Sequence, residues 1–137
     1  MVRIIMGLKG SGKTKQLIEH IHKAIDEEQG DVVCIEKSAK LRYDIPHKVR
    51  LIDASQVGFY GYDFLKGFIS GLYSANYDIT HIFIDSVLRI IGEDLDEQKL
   101  ENFIDWCEAF GKKEDVKFTL SISADVALAS DRVKGYF

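Results

Sequence analysis

Cysteine, proline and long apolar runs are scarce in this 137-residue chain, and any excess of basic charge is missing. Each absence excludes something. Cys34 and Cys107 are the only cysteines. They stand far apart, in apolar surroundings, without the paired spacing of a zinc site or a disulfide framework. Both read as reduced core residues, Cys34 in a strand and Cys107 on a helix. Pro46 is the only proline, and no Ser/Gly-rich stretch, repeat or low-complexity segment marks a linker. A single domain over residues 1–137 is therefore expected, large enough to bury roughly two-thirds of its unfolded surface. No stretch approaches the about 18 apolar residues of a spanning helix, so no membrane is an expected partner. The apolar run at the N-terminus is too short for a secretion signal, which makes a cytoplasmic location the expectation. A net charge of −4 argues against bulk binding to nucleic acid, which relies on basic surface.

What the chain does have is a glycine-rich turn, Gly7-Leu8-Lys9-Gly10-Ser11-Gly12-Lys13-Thr14. It satisfies G-x-x-x-x-G-K-[ST] at every fixed position. Those fixed residues coincide by chance in well under about 1% of chains of this length, given ordinary glycine usage. The context agrees. Val2-Arg3-Ile4-Ile5-Met6 suits a buried strand, and residues 13–28 carry Leu17, Ile18, Ile21, Ala24 and Ile25 at helical spacing. The chemistry explains the residue types. Glycines let the backbone approach polyphosphate oxygens closely, successive N–H groups form an anion nest, and a helix beginning at Lys13 points its positive end there. Lys13 is expected at the β/γ-phosphates, Thr14 at Mg²⁺, and Lys9 as added charge.

Along the chain, Gly30 is a helix stop, and Val32-Val33-Cys34-Ile35 is a strand apolar on both faces. It ends in Glu36, on the rim where open α/β sheets bind ligands. Glu36 is either a general base for an attacking water or a solvated strand-end carboxylate. Residues 37–50 read as a loop with Lys37, Lys40, Arg42, His47, Lys48 and Arg50 against Asp44 alone: a basic patch for a phosphate, acidic partner or nucleic acid, or simply a solvated loop. Val49 to Asp53 is a second short strand. Asp63 is a candidate helix cap, followed by an apolar stripe from Phe64 to Tyr73. Gly67 and Gly71 share a helix face and are expected to allow close packing on a sheet. The aromatic, glycine-rich stretch Gly58 to Tyr62 either stacks a base or packs on the core.

Ile79 to Asp85 is a strand ending in aspartate, the Walker B pattern, which would set Asp85 opposite Thr14 on the metal. Arg89, just beyond, reaches a phosphate or lies on the surface. Glu93, Asp94, Asp96 and Glu97 suit the start of the next helix. Its buried face is Leu100, Phe103, Ile104, Cys107 and Phe110, and Gly111, Lys112 and Lys113 are its expected end. Val116 to Ser123 is the last core strand. Ser123 and Asp125 face a nucleotide, or Asp125 caps the following segment. The tail, through Tyr136 and Phe137, docks on the domain or on a partner.

With Gly7 to Thr14 and Ile82 to Asp85 in place, the chain resembles the P-loop NTPase superfamily, in its RecA-like division. The resemblance implies an α/β fold: a three-layer αβα sandwich around a mostly parallel five-stranded sheet of order 5-1-4-3-2. The content is also similar to small bacterial ATP-binding proteins of unknown role, some grouped as PilT-like, although the extra domain and the histidine and acidic boxes of that motor are lacking. Two departures stand out. Many RecA-like ATPases follow the Walker B aspartate with a glutamate, and here that position is Ser86; Glu36 resembles in placement the base that RecA carries on another strand. Thymidine kinases share a related layout, but two scattered cysteines cannot supply their zinc.

Three functions follow as expectations. The first is an ATP-binding, Mg²⁺-dependent ATPase of slow turnover, in which Gly7 to Thr14 hold the phosphates, Lys13 and Glu36 act in catalysis, and Thr14 and Asp85 hold the metal. The second is a nucleotide-dependent switch without significant hydrolysis, acting on a protein partner or within a homo-oligomer. The third is a small nucleoside or nucleotide kinase, with Arg42 or Arg50 in a lid.

Overall fold

Strands apolar on both faces must be covered on both faces. The computed structural model, which describes residues 1–38, 40–58 and 60–137, shows how. β1 (Val2–Gly7), β2 (Asp31–Glu36), β3 (Arg50–Asp53), β4 (Ile79–Ile84) and β5 (Lys117–Ser123) form one sheet in the order β1-β5-β4-β2-β3. Every pairing is parallel. On one face α1 (Lys13–Glu27) buries Leu17, Ile21 and Ala24 against Ile5, Val32, Cys34 and Phe83, with Leu41 and Val49 closing the layer. The other face carries α2 (Gly61–Ala75), α3 (Val87–Ile91) and α4 (Glu97–Glu114). There Leu65, Ile69, Val87, Ile90, Leu100, Phe103 and Cys107 meet Ile4, Val33, Ile82, Phe118 and Leu120. Cys34 and Cys107 are buried free thiols in these separate layers, and burial raises the pKa of each. A short helix, α5 (Asp131–Lys134), ends the chain.

The three layers and the five-stranded parallel sheet agree with expectation; the order of the strands within the sheet differs. In the order 5-1-4-3-2 the phosphate-loop strand is flanked on both sides. Here β1 lies at one end of the sheet, with β5 between it and β4, the strand that leads to Asp85. β3 lies at the opposite end, because Arg50–Asp53 pairs with β2. The outer edge of β1 meets the C-terminal segment instead: Ile4 N–H donates to the Tyr136 carbonyl at 2.8 Å. Tyr136 packs on the core, while Phe137 stays exposed.

Several local expectations are corrected. Asp63 does not cap α2, which begins two residues earlier after Tyr60; Asp63 sits in the first turn, facing the helix dipole. Gly67 and Gly71 do not pack on the sheet. Both are exposed, with open space where a Cβ would stand, and Leu65 and Ile69 make the sheet contact. Gly111 does not end α4; the helix runs to Glu114 and stops at Asp115 in the left-handed region (φ 57°). Gly111 is required for another reason: a Cβ there would collide with the Val116 carbonyl. The loop 37–50 contains a 3₁₀ turn, Lys40–Tyr43. In the stretch 58–62, Phe59 lies outside the described residues, Tyr60 is exposed, and Tyr62 packs on Phe103 at 5.1 Å.

Towards the amino ends of the inner strands β4 and β5 lies a polar cluster with no counterpart in the sequence reading. His81 Nε2 is 2.9 Å from Thr119 Oγ1, and its ring stacks on Phe83 at 4.1 Å. Glu28 Oε1 lies 3.3 Å from His81 Nδ1 and 3.1 Å from Lys117 Nζ. Burial, followed by the charges of Lys117, His20 and Arg3, lowers the His81 pKa from 6.5 to about 3. The unfolded chain therefore binds a proton in this window that the folded chain refuses. The contribution is fully favourable above pH 6.5 and is lost as pH falls towards 3. Urea unfolding of the wild type should lose about 2 kcal/mol between about pH 7 and pH 5 through this group alone. His81→Phe should flatten that part of the pH slope, whatever its effect on absolute stability. Parallel slopes for the two proteins would show that His81 titrates normally.

Candidate phosphate-binding site

The carboxyl ends of the parallel strands converge on one rim. β1 delivers Gly7 to it and the chain turns through residues 8–12 into α1. Gly10 (φ 85°) and Gly12 (φ 91°) lie in the left-handed region that side chains avoid. A Cβ at Gly7 would displace the Ser11 hydroxyl and press on its Cβ at 3.1 Å, so glycine leaves the turn its room. Gly12 caps α1 without a side chain, so no side-chain oxygen of the cap residue claims the first amides of the helix. Lys13 is 8% exposed and donates from Nζ to the Leu8 carbonyl at 3.0 Å, which holds its ammonium inside the turn. Thr14 is exposed on the first turn of α1.

Above this turn is a cavity of about 690 Å³. Four cations line it: Lys9 and Lys13 from the loop, Lys40 from the 3₁₀ turn and Arg89 from α3. The hydroxyls of Thr14, Ser86 and Ser123 complete the polar lining, and among the described residues no carboxylate joins them. Lys37 Nζ donates to the Arg89 carbonyl at 3.2 Å, tying the segment after β2 to α3. Such an assembly can neutralise a compact, multiply charged oxyanion. Arg42 and Arg50, the lid candidates of the kinase reading, do not line it.

Asp85 follows β4 directly. Its N–H donates to the Ile35 carbonyl at 2.9 Å, and its Oδ1 accepts from Ser121 Oγ at 2.9 Å. The same Ser121 oxygen accepts from Ser86 N–H at 2.7 Å. Ser86 is held in the left-handed region (φ 56°, ψ 66°), a conformation that costs a non-glycine residue on the order of 1 kcal/mol or more and persists only when its surroundings enforce it. Ser121 supplies that enforcement and aims the carboxylate at once. Its role is not legible from sequence, because nothing there says that β5 lies beside β4. Of the six basic residues of the 37–50 loop, read as a patch for a phosphate among other partners or as a solvated loop, Lys40 alone lines the cavity, carried there on the 3₁₀ turn.

Glu36 ends β2 and is 4% exposed. Its Oε1 accepts from Ser38 Oγ at 2.9 Å and its Oε2 from Leu41 N–H at 3.3 Å. Burial raises its pKa; those hydrogen bonds act against the rise and the Asp85 charge adds to it. It is not a solvated strand-end carboxylate. Nor does it line the cavity; Ser38 and Leu41 take up its two oxygens. Asp125 accepts from Ala127 N–H at 2.9 Å and caps the 3₁₀ turn Val126–Leu128, whereas Ser123 does face the cavity.

Hard oxygen donors suit Mg²⁺, and Thr14 Oγ1 with the Asp85 oxygen that Ser121 leaves free are donors of that kind. Among the described residues no three His, Cys, Asp or Glu side chains cluster tightly enough to hold a metal by themselves. An ion here would share its coordination with water and a bound phosphate.

No family model matches the sequence, and no curated protein matches it. Among solved structures, a KaiC-like protein of the hyperthermophilic archaeon Pyrococcus horikoshii OT3 superposes with a TM-score of 0.63 at 18% identity. The match covers 98% of this chain and 66% of that one, so this chain spans just under two-thirds of the neighbour's length. The likeness establishes a RecA-like α/β fold. It lends nothing to the PilT-like grouping.

Proposed function

We propose that this chain binds a nucleoside triphosphate, with ATP the default, at the Gly7–Thr14 turn together with Mg²⁺, and that it hydrolyses it slowly. The observation that carries the reading is the convergence of Lys9, Lys13, Lys40 and Arg89, without a carboxylate, on a cavity floored by the amide-rich turn. Lys13 lies against the phosphates, and the amides of residues 8–14 hold their oxygens. Thr14 would hold Mg²⁺, with Asp85, which does not line the cavity, reaching it through water, and the ion would offset charge on the phosphates. Lys40 and Arg89 line the same cavity, so the chain's own residues supply further charge stabilisation. Glu36, with its carboxyl pKa raised by burial, is the candidate to take a proton from an attacking water once Ser38 or Leu41 N–H releases one of its oxygens towards the cavity.

A second reading has one observation in its favour. Both Glu36 oxygens are engaged by the 38–41 segment, and Ser86 stands where a glutamate would follow Asp85. A chain of that kind binds nucleotide, reorders the 38–41 segment and hydrolyses negligibly.

Calorimetry with ATP and GTP, with and without Mg²⁺, tests the binding step. ATP should bind in the micromolar range, more tightly with Mg²⁺. Lys13→Ala should weaken it by about 1.5–3 kcal/mol, the loss of a hydrogen bond between charged groups. Failure of the wild type to bind either nucleotide would overturn the proposal.

A further inference from the structure

Two non-glycine residues among those described have a positive φ, Ser86 (56°) and Asp115 (57°). Asp115 has an ordinary reason: it closes α4, and helices commonly end on a left-handed residue. Ser86 has no such reason. It precedes α3, where a serine is normally extended and folds its hydroxyl onto the first amides of the helix. Ser130 does this in the same chain. At φ −66° and ψ 160°, its Oγ accepts from Val133 N–H at 3.2 Å, ahead of α5. Ser86, at φ 56° and ψ 66°, makes no capping bond. Its hydroxyl has no hydrogen-bond partner among the described residues.

The chain thus holds a disfavoured backbone and leaves a polar side chain unused. Strained residues of this kind gather at ligand sites, where their surroundings enforce them. Here the enforcement is the bond from Ser86 N–H to Ser121 Oγ at 2.7 Å. Half-buried, Ser86 lines the cavity above the glycine turn together with Lys13, Thr14, Lys40 and Arg89. Its place in the chain says which part of a nucleotide it meets. In the proposed complex Asp85 reaches Mg²⁺ through water, and the ion bridges β- and γ-phosphate oxygens. Ser86 is the next residue, so it stands at the terminal phosphate rather than at the sugar.

We propose that Ser86 Oγ donates a hydrogen bond to the terminal phosphate of a nucleoside triphosphate, and so makes the site favour triphosphate over diphosphate. The inference rests on the reading that a nucleotide occupies this cavity. The left-handed backbone turns the hydroxyl away from the amides of α3 and leaves it for the ligand. Residue type matters as well. A cation attracts every phosphate within reach, whereas a neutral hydroxyl acts only on the oxygen it touches. The four cations then supply attraction and Ser86 supplies discrimination.

Calorimetric titration with ATP and with ADP, each with Mg²⁺, tests this on the wild type, Ser86→Ala and Ser86→Gly. Both variants keep the Ser86 N–H, and with it the Ser121 bond that aims Asp85. Glycine accepts the left-handed backbone without strain, so Ser86→Gly should melt within about 3 °C of the wild type. The wild type should bind ATP more tightly than ADP. Both variants should bind ATP about tenfold more weakly, the loss of one hydrogen bond to a charged group, while affinity for ADP changes less than about twofold. Equal losses for the two nucleotides would overturn the proposal and assign Ser86 to the shape of the rim. So would a Ser86→Gly protein that binds ATP as the wild type does, since the hydroxyl would then be idle. A wild type that binds neither nucleotide removes the nucleotide reading itself and this inference with it. That result is distinct from a wild type that binds both with a preference the variants leave unchanged, which overturns this inference alone.

Discussion

Glu36→Gln should slow single-turnover hydrolysis of bound ATP by about 10²–10⁴-fold, the usual contribution of a positioned general base. The substitution is chosen to spare the structure. Glutamine keeps an oxygen to accept from Leu41 N–H, its amide can donate to Ser38 Oγ, and the negative charge is lost together with the ability to take a proton. Nucleotide affinity should be nearly unchanged, because Glu36 does not line the cavity. The pH profile adds a second readout. The carboxyl pKa is raised, so the wild-type rate should fall as pH drops through a value above the ordinary glutamate range, and the variant should lose that limb. A wild type that hydrolyses and a variant equally fast would assign Glu36 to holding the 38–41 segment. A wild type that binds but shows no turnover would favour the switch reading.

The second large effect concerns the frame that brings the rim together. Phe118→Ala should cost about 3–5 kcal/mol, the range for an aromatic side chain deleted from a packed core. Phe118 is fully buried on β5, the strand wedged between the phosphate-loop strand and the Asp85 strand, and its ring packs edge-on against Phe110 at 6.0 Å. Against the about 5–15 kcal/mol of an ordinary domain, that is a large share. The melting temperature should drop by roughly 10–20 °C. Nucleotide binding should weaken only as far as unfolded protein accumulates, because Phe118 stands at the opposite end of β5 from Ser121 and Ser123. A shift of less than about 3 °C in a calorimetric scan would show that β5 does not carry the core as argued here.

Much of this was legible in the chain itself. The Gly7–Thr14 turn depends on local backbone freedom: two glycines at positive φ and a third at which a Cβ would crowd Ser11. Such requirements are written residue by residue. Doubly apolar strands and the stripe of α1 are local too, since burial acts on each side chain where it stands. Strand, turn, helix and a distant strand ending in Asp85 were therefore enough to anticipate a parallel α/β sheet with its rim at Lys13, Thr14, Glu36 and Asp85.

What remained depended on contacts between residues far apart in sequence. Gly67 and Gly71 have helical spacing whichever way they face, and only the docking of Leu65 and Ile69 on the sheet turned them outward. Ser121 aims Asp85 and holds Ser86 because β5 enters the sheet beside β4, and Lys40 and Arg89 share a cavity because the turn Lys40–Tyr43 and α3 reach the same rim. The proton-refusing environment of His81 is assembled from α1, β4, β5 and the segment after α1. By itself the sequence determined the turn, the strands and the polarity of the rim, because propensity and burial are local. The tertiary structure decided the strand order, the partners of each carboxylate and which surfaces stayed open, because those depend on which distant segments exclude water from one another.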